Sequence, residues 1–158
     1  MSKSSKKGSA KARNGAARLL AVQAVYQMFG NDQSEEEVIK EFLEHRAGQD
    51  IEGEGDEMVT PDEDHFVKVV RGVSENTPQL VDMIAQNRGK EAEQKTAKKE
   101  PLLQSILLCA SFELMALQAI DSPIIISDYL HVTRAFFDDG EVKLVNGLLN
   151  SLEKTVRN

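Results

Sequence analysis

The residues best suited to chemistry in this sequence are cations near the amino terminus. Residues 1–31 carry six basic side chains and no acidic one. The six are Lys3, Lys6, Lys7, Lys11, Arg13 and Arg18. Clustered cations neutralise phosphates, so this segment predicts an arm that binds an anionic partner such as a nucleic acid. An organellar transit peptide and a solvated tail are the alternatives.

Two residues that follow the cations extend this prediction to single-stranded nucleic acid. The amide of Gln23 suits hydrogen bonding to a base edge, and the ring of Tyr26 suits stacking on an unpaired base. Tyr26 also falls on an apolar stripe, so a core position with its hydroxyl at the surface is an equal alternative. The arm and the helix after it therefore predict one continuous binding surface.

Signals for catalysis and metal binding are missing from the sequence. The three histidines stand at least 20 positions apart, which is not a metal-ligand spacing. The acidic stretch from Asp50 begins like a calcium loop, but Pro61 occupies the twelfth position, where a glutamate is required. The single cysteine, Cys109, stands among apolar residues, which predicts a buried and inert thiol. We therefore expect no enzymatic activity, cofactor or metal.

The composition favours a helical, cytoplasmic protein. The chain has 158 residues, of which 41% are hydrophobic and only 5% aromatic, a poor composition for a sheet. It contains no run of 18 apolar residues that predicts a membrane helix. Residues 32–64 carry 14 acidic side chains against Lys40 and Arg46, so the net charge of −7 hides a strong asymmetry. This acidic segment disfavours indiscriminate phosphate binding outside the arm.

Apolar residues recur at helical spacing along most of the chain, without the alternation typical of strands. The predicted helices cover residues 14–29, begin at Ser34, Thr60, Thr77-Pro78 and Pro101, and continue over residues 124–137 and 142–156. The run Ile124–Ile126 is also compatible with a short extended segment. Residues 48–57 predict a loop. The sum is about seven helices.

The polar residues 88–100 contain no large apolar side chain and predict a linker. The expected fold is an all-α helical bundle in two sub-bundles. A flexible basic arm over residues 1–13 precedes a single domain, 14–158. The sub-bundles are expected at about residues 14–88 and 101–158.

Three segments resemble the NusB family of bacterial transcription antitermination factors. They are Arg18–Tyr26, Ile106–Leu114 and Lys143–Leu149, the last with its Val-Asn-Gly sequence. The resemblance implies a NusB-like bundle and a non-catalytic, RNA-binding role. It implies binding to the single-stranded boxA sequence of nascent ribosomal RNA, together with the ribosomal protein NusE. Other Nus factors and RNA polymerase are the further partners that it implies.

The family's RNA surface lies at its basic amino terminus and around the Val-Asn-Gly sequence. Carried over, this surface consists of Arg13, Arg18, Gln23, Lys143 and Asn146, with the arm lysines adding attraction. A glycine inside a helix costs about 1 kcal/mol relative to alanine, so Gly147 requires compensation. Tight helix packing around Asn146 and a ligand lying against the helix are the two alternatives.

The chain departs from the family pattern on both the RNA side and the partner side. Residues 14–17 (Asn-Gly-Ala-Ala) stand where the family usually has a cluster of arginines, which favours weaker RNA specificity. Leu103 and Leu108 stand where the central helix of the family usually has an acid and an arginine. Because that helix contributes to NusE binding in the family, both leucines are candidate partner-binding residues. They also favour an alternative, a homodimer or a divergent NusB-like adaptor without specific RNA readout. The NusB-like domain of an RNA methyltransferase is disfavoured, because these residues include no catalytic domain.

Overall fold

The computed structural model describes residues 6–46, 49–53, 57–88 and 100–157, and these residues are mostly helical. Six helices are described: α1 Ala10–Gly30, α2 Glu35–His45, α3 Glu63–Gln86, α4 Pro101–Ala116, α5 Ser122–Phe136 and α6 Asp139–Val156. Two short strands, β1 Ile51–Glu52 and β2 Met58–Val59, pair antiparallel where the sequence predicted only a loop. The all-α prediction is confirmed. No described helix has the length and apolar character needed to span a membrane.

The chain divides into two compact units inside α3, between Val70 and Arg71. This division comes earlier than the sub-bundle boundary expected at residues 88–101. Most of the predicted linker, residues 89–99, lies outside the described residues. The amino-terminal unit, up to Val70, contains α1, α2, the β-hairpin and the start of α3. The carboxy-terminal unit contains the rest of α3 and α4 to α6.

Helix α1 begins at Ala10, four residues before the predicted start, because Ser9 caps it by accepting the Ala12 amide at 3.0 Å. Its buried face is made largely of small side chains, including the fully buried Ala17, Ala21 and Ala24. The prediction that the last two residues of the apolar stripe, Tyr26 and Phe29, are buried is therefore wrong. Tyr26 is 46% exposed, and Phe29 is exposed as well.

The amino-terminal unit is closed by well-defined helix starts and one aromatic pair. The predicted capping box of α2 is confirmed: Ser34 accepts the Glu37 amide at 3.1 Å, and Glu37 accepts the Ser34 amide at 2.9 Å. Phe42 of α2 stacks on Phe66 of α3 with ring centroids 5.8 Å apart. These contacts hold α2 against the first turns of α3.

The predicted cap of α3 is wrong by two residues. Asp62, not Thr60, caps the helix, since its Oδ1 accepts the His65 amide at 2.9 Å. A second start was predicted at Thr77-Pro78, but α3 continues there with a kink at Asn76. Proline removes a helical hydrogen bond. The side chains of Asn76 and Thr77 bond to backbone carbonyls one turn earlier, at 2.8 and 2.7 Å, and this stabilises the kinked turn.

The core of the carboxy-terminal unit is built on α4, which contacts α5 and α6. The prediction of a central helix buried nearly all round is confirmed, because α4 is buried from Ser105 to Leu114. The run Ile124–Ile126 is helical rather than extended, since Pro123 falls in the first turn of α5, where proline is tolerated. Within this core, the Tyr129 hydroxyl donates to the buried Glu113 carboxylate at 2.6 Å.

A single arginine joins the ends of α4 and α6. The guanidinium of Arg157 donates to four backbone carbonyls and one hydroxyl, at 2.7 to 3.3 Å. These acceptors belong to Glu113, Leu114, Leu117, Ile120 and Ser122. The last turn of a helix leaves carbonyls without intrahelical donors. Arg157 satisfies them and fixes the turn from α4 into α5.

Candidate nucleic-acid interface

The described part of the basic arm begins at Lys6 and runs into α1 at Ala10. Lys6, Lys7 and Lys11 are exposed, and Lys3 lies outside the described residues. The Lys7 carbonyl accepts the Thr60 amide at 2.8 Å, so the arm runs beside the end of the β-hairpin. The Lys7 ammonium lies 3.4 Å from the Asp50 carboxylate.

Arg13 is positioned by uncharged partners. Its Nε donates to the Thr60 carbonyl at 2.8 Å, and its Nη2 donates to the Pro61 carbonyl at 3.4 Å. Its own carbonyl accepts the Asp62 amide at 3.1 Å. Because carbonyl groups carry no net charge, these bonds orient the guanidinium without neutralising it. Arg13 therefore keeps its positive charge beside the lysines.

Arg18 does not join this surface, although the sequence predicted that it contacts RNA. Its side chain is only 1% exposed, which makes it one of the largest buried side chains of the chain. A buried guanidinium requires interactions within the protein, and Arg18 has them. Its burial is incompatible with direct contact to RNA in this conformation, so Arg18 is assigned to the core.

The half-buried Gln23 and the exposed Tyr26 form a second group, near the other end of α1. These residues are one helical turn apart, so their side chains are neighbours. Arg46, which the sequence prediction omitted, donates to the Gln23 side chain at 3.4 Å and lies 4.9 Å from the Phe42 ring centre. Arg46 therefore contacts Gln23, one helical turn from the exposed ring of Tyr26, and exposed aromatic rings are typical of stacking sites for single-stranded bases.

The two groups are spaced along one helix. Fifteen residues separate Lys11 from Tyr26, which corresponds to about 22 Å at 1.5 Å per residue. A ligand that contacts both groups at once must therefore span about 22 Å. The sequence signal for Arg46 was its position as one of two cations, with Lys40, in an acidic segment.

The carboxy-terminal unit carries a third candidate surface on α6, formed by Lys143, Asn146, Gly147 and Asn150. All four residues are exposed. Among the described residues, a Cβ added to Gly147 would meet no atom within 4 Å outside its own helix backbone, so packing against these residues does not explain this glycine. Asn150 donates to both the carbonyl and the side-chain oxygen of Asn146 at 2.8 Å. We call these four residues the α6 face.

The candidate partner residues are buried. Leu103 and Leu108 are 4% and 3% exposed, because α4 is the central helix of its unit. Neither side chain is accessible to a partner in this conformation, and both act in packing. A groove of about 330 Å³ lies instead between α5 and α6, with Pro123, Ile126 and Leu130 among its lining residues.

The remaining reactive groups provide no chemistry. Cys109 is fully buried, as predicted, and burial together with the nearby Glu113 raises the pKa of its thiol well above the ordinary value. Within the described part of the chain, no three His, Cys, Asp or Glu residues are grouped as metal ligands.

Comparison with known proteins places this helical architecture among antitermination proteins. Two solved structures share the fold. A Thermotoga maritima NusB matches with a TM-score of 0.73 and 20% identity, covering 95% of this chain and 93% of its own. NusB in a structure of NusB and NusE with double-stranded RNA matches with a TM-score of 0.72 and 17% identity, covering 93% and 99%.

The sequence relationships are closer. The NusB protein of Bartonella henselae is 34% identical over 145 residues, which cover 92% of this chain and 89% of the relative. The Sinorhizobium medicae protein is 32% identical, with coverage of 92% and 88%. Both relatives are transcription antitermination proteins, and the NusB family model matches residues 15–154. The chain belongs to the NusB family.

Proposed function

We propose that this protein is a non-catalytic, cytoplasmic transcription antitermination factor that binds boxA-type single-stranded RNA of nascent ribosomal transcripts. The observation that carries the proposal is the surface of the amino-terminal unit. It presents Lys6, Lys7, Lys11 and Arg13 at one end of α1 and the exposed Tyr26 near the other. Family membership supplies the biological setting for this surface.

The proposed mechanism separates attraction from readout. The lysines and Arg13 neutralise phosphates, and each neutralised phosphate releases counterions into solution. Tyr26 stacks on a base and Gln23 contacts a base edge, which orients the strand. On the α6 face, Gly147 permits close approach of a ligand backbone, while Lys143 and Asn146 offer charge and hydrogen bonds.

The proposed protein partner is a NusE-like ribosomal protein, with other Nus factors and RNA polymerase in the assembled complex. Support comes from the solved structure in which a NusB of the same fold is combined with NusE and RNA. Leu103 and Leu108 are not proposed as direct contacts, because they are buried. The RNA in that structure is double-stranded, so the form of RNA preferred by this chain requires its own test.

The decisive experiment is fluorescence anisotropy with three labelled RNAs: a single-stranded boxA sequence, its scrambled version and a duplex containing boxA. Each RNA is titrated at several salt concentrations, with and without NusE from the same organism. We expect the tightest binding to single-stranded boxA, a further gain with NusE, and a log–log salt slope of about −0.7 per neutralised phosphate. Preference for the duplex would contradict the proposed RNA form.

Equal and weak binding to all three RNAs, unaffected by NusE, would overturn the proposed function. That result would favour the alternative, a NusB-like adaptor without specific RNA readout. The groove between α5 and α6, where Pro123, Ile126 and Leu130 lie among polar side chains, is the structural observation that favours this alternative. A homodimer would appear in the same experiments as a concentration-dependent change in sedimentation.

A further inference from the structure

The β-hairpin contacts the basic arm through Thr60, which uses every hydrogen-bonding group that it has. Its amide donates to the Lys7 carbonyl at 2.8 Å, and its hydroxyl oxygen accepts the Lys7 amide at 2.8 Å. The same hydroxyl donates to Asp50 at 2.6 Å, and the Thr60 carbonyl accepts Arg13 Nε at 2.8 Å. One residue therefore connects the hairpin, the arm and the first turn of α1.

Gly8 allows the arm to turn from this contact into α1. Its φ of +100° lies in a region that other residues rarely adopt. A Cβ at Gly8 would also lie only 3.2 Å from the Val59 side chain, which is buried in β2. The backbone turn at Gly8 and the hydrogen bonds of Thr60 are thus compatible with the same backbone path for the arm.

The contacts that hold the arm leave its positive charge free. Thr60 bonds to the Lys7 backbone, and the Arg13 guanidinium bonds to neutral carbonyls. Among the described residues, Asp50 is the acid that pairs with the arm, and the Lys7 side chain in this ion pair is 59% exposed, so the pair is weak. The Thr60 hydroxyl, followed by Lys7, lowers the pKa of Asp50, so the carboxylate stays ionised near neutral pH.

From these contacts we infer that Thr60 is a positioning residue for RNA binding, which holds the basic arm in a fixed path before RNA arrives. The inference rests on the proposed function. Ordering a flexible segment opposes binding, so an arm that is already ordered binds more tightly with the same charges. Asp50 has a second role as a weak competitor for Lys7. The hairpin therefore increases affinity through Thr60 and slightly decreases it through Asp50.

The test compares RNA binding by Thr60→Val and Thr60→Ser in the full chain. Valine keeps the branched shape but removes the hydroxyl, whereas serine keeps the hydroxyl. We expect Thr60→Val to bind boxA RNA 3- to 10-fold more weakly, with an unchanged salt slope and an intact circular dichroism spectrum. Thr60→Ser should retain binding within twofold of the wild type.

A double-mutant cycle separates positioning from a general structural effect. Thr60→Val is repeated in a chain that carries Lys6→Gln, Lys7→Gln and Lys11→Gln. If Thr60 acts by positioning the arm charges, its substitution should have little effect in that background. An equal loss in both backgrounds would overturn the inference, as would unchanged binding by Thr60→Val in the otherwise wild-type chain.

The opposing role of Asp50 is tested with a matched charge change. Asp50→Asn should tighten binding about twofold and make the salt slope more negative by at most about 0.7, because Lys7 then engages RNA alone. Glu57→Gln removes the same charge from an exposed residue of the hairpin and should have a smaller effect. Tighter binding by both Thr60→Val and Asp50→Asn would mean that the hairpin restrains the arm, which overturns the positioning role.

These results are distinguishable from failure of the proposed function. If the wild type binds RNA but does not prefer boxA, the proposed function fails. The Thr60 comparison still holds on that RNA, since phosphate attraction is independent of sequence. If the wild type binds no RNA, both the function and the positioning role fail.

Discussion

The two proposed RNA surfaces, one on the amino-terminal unit and the α6 face on the carboxy-terminal unit, differ in the groups that they offer to RNA. The first concentrates positive charge on an arm that the hairpin keeps in place, and it adds an exposed aromatic ring. The second has one cation, Lys143, and an unobstructed glycine between two asparagines. Electrostatic attraction of RNA is thus assigned to the amino-terminal unit, and close approach of the RNA backbone is assigned to the carboxy-terminal unit. Substitutions can therefore test the two contributions separately.

Gly147 can be compared with Gly72, a glycine in a helix of the same unit. A Cβ at Gly72 would overlap the ring of Phe112, so packing between α3 and α4 explains that glycine fully. No such neighbour exists at Gly147 within the described residues. Gly140 is equally unobstructed but lies in the first turn of α6, so Gly147 is the glycine inside this helix that packing against the described residues does not explain.

Neutralising the arm should have the largest effect on RNA binding. In a Lys6→Gln, Lys7→Gln and Lys11→Gln variant, three lost phosphate contacts should reduce the salt slope by about 2 and weaken binding by about 100-fold at 0.1 M salt. Anisotropy titrations across salt concentrations measure both quantities. The matched control replaces three exposed lysines elsewhere, Lys40, Lys68 and Lys154. Similar losses in both variants would remove the distinction between the arm and the rest of the surface.

Removing the exposed ring should have the next largest effect. Stacking of a base on an aromatic side chain contributes about 1–3 kcal/mol, so Tyr26→Leu should weaken binding by about 10-fold. Tyr26→Phe should bind nearly as well as the wild type, because the ring remains. The nearby exposed Phe29→Leu serves as the control. If Tyr26→Phe were as defective as Tyr26→Leu, the hydroxyl and not stacking would be responsible.

Filling the open position on α6 should separate binding from stability. Gly147→Leu should raise the free energy of unfolding by about 0.5–1 kcal/mol, because leucine favours helix. The same variant should weaken RNA binding several-fold, as the new side chain obstructs the ligand. Gly72→Ala, in contrast, should destabilise the protein by about 1–3 kcal/mol through overpacking. Urea unfolding and anisotropy check these values, and unaltered binding by Gly147→Leu would exclude the α6 face.

The smallest expected effect is that of a single amide on the α6 face. Asn146→Ala should weaken RNA binding about threefold and leave the melting temperature nearly unchanged, because the side chain is exposed. Asn150→Ala, which removes the donor to Asn146, is the control. A large loss of melting temperature with intact binding would instead make Asn146 a structural residue.

The sequence predicted the helices well where periodicity and capping agreed. Ser34 with Glu37, and Pro101 before a long apolar run, identify helix starts because the same local interactions operate in the folded protein. The buried face of α1 was harder to predict. Small residues such as Ala21 carry little hydrophobic signal, yet they allow close packing and occupy the core instead of Tyr26.

The candidate site was less predictable, because its geometry depends on long-range contacts. Thr60 was interpreted as a helix cap, and nothing local shows that it binds Lys7, 53 positions earlier. Arg18 was assigned to RNA because it follows other cations, but tertiary structure buries it. The sequence shows where the charged residues cluster along the chain. It does not show which of their side chains are exposed in the folded protein.

Arg157 affects the order in which the carboxy-terminal unit folds as well as its final structure. Its five acceptors lie 35 to 44 positions earlier in the chain. During synthesis, α4 and α5 therefore leave the ribosome well before the side chain that joins them. Contacts between distant positions form late and slow the folding of a chain. The turn between α4 and α5 should accordingly be the last part of this unit to gain protection from hydrogen exchange during refolding.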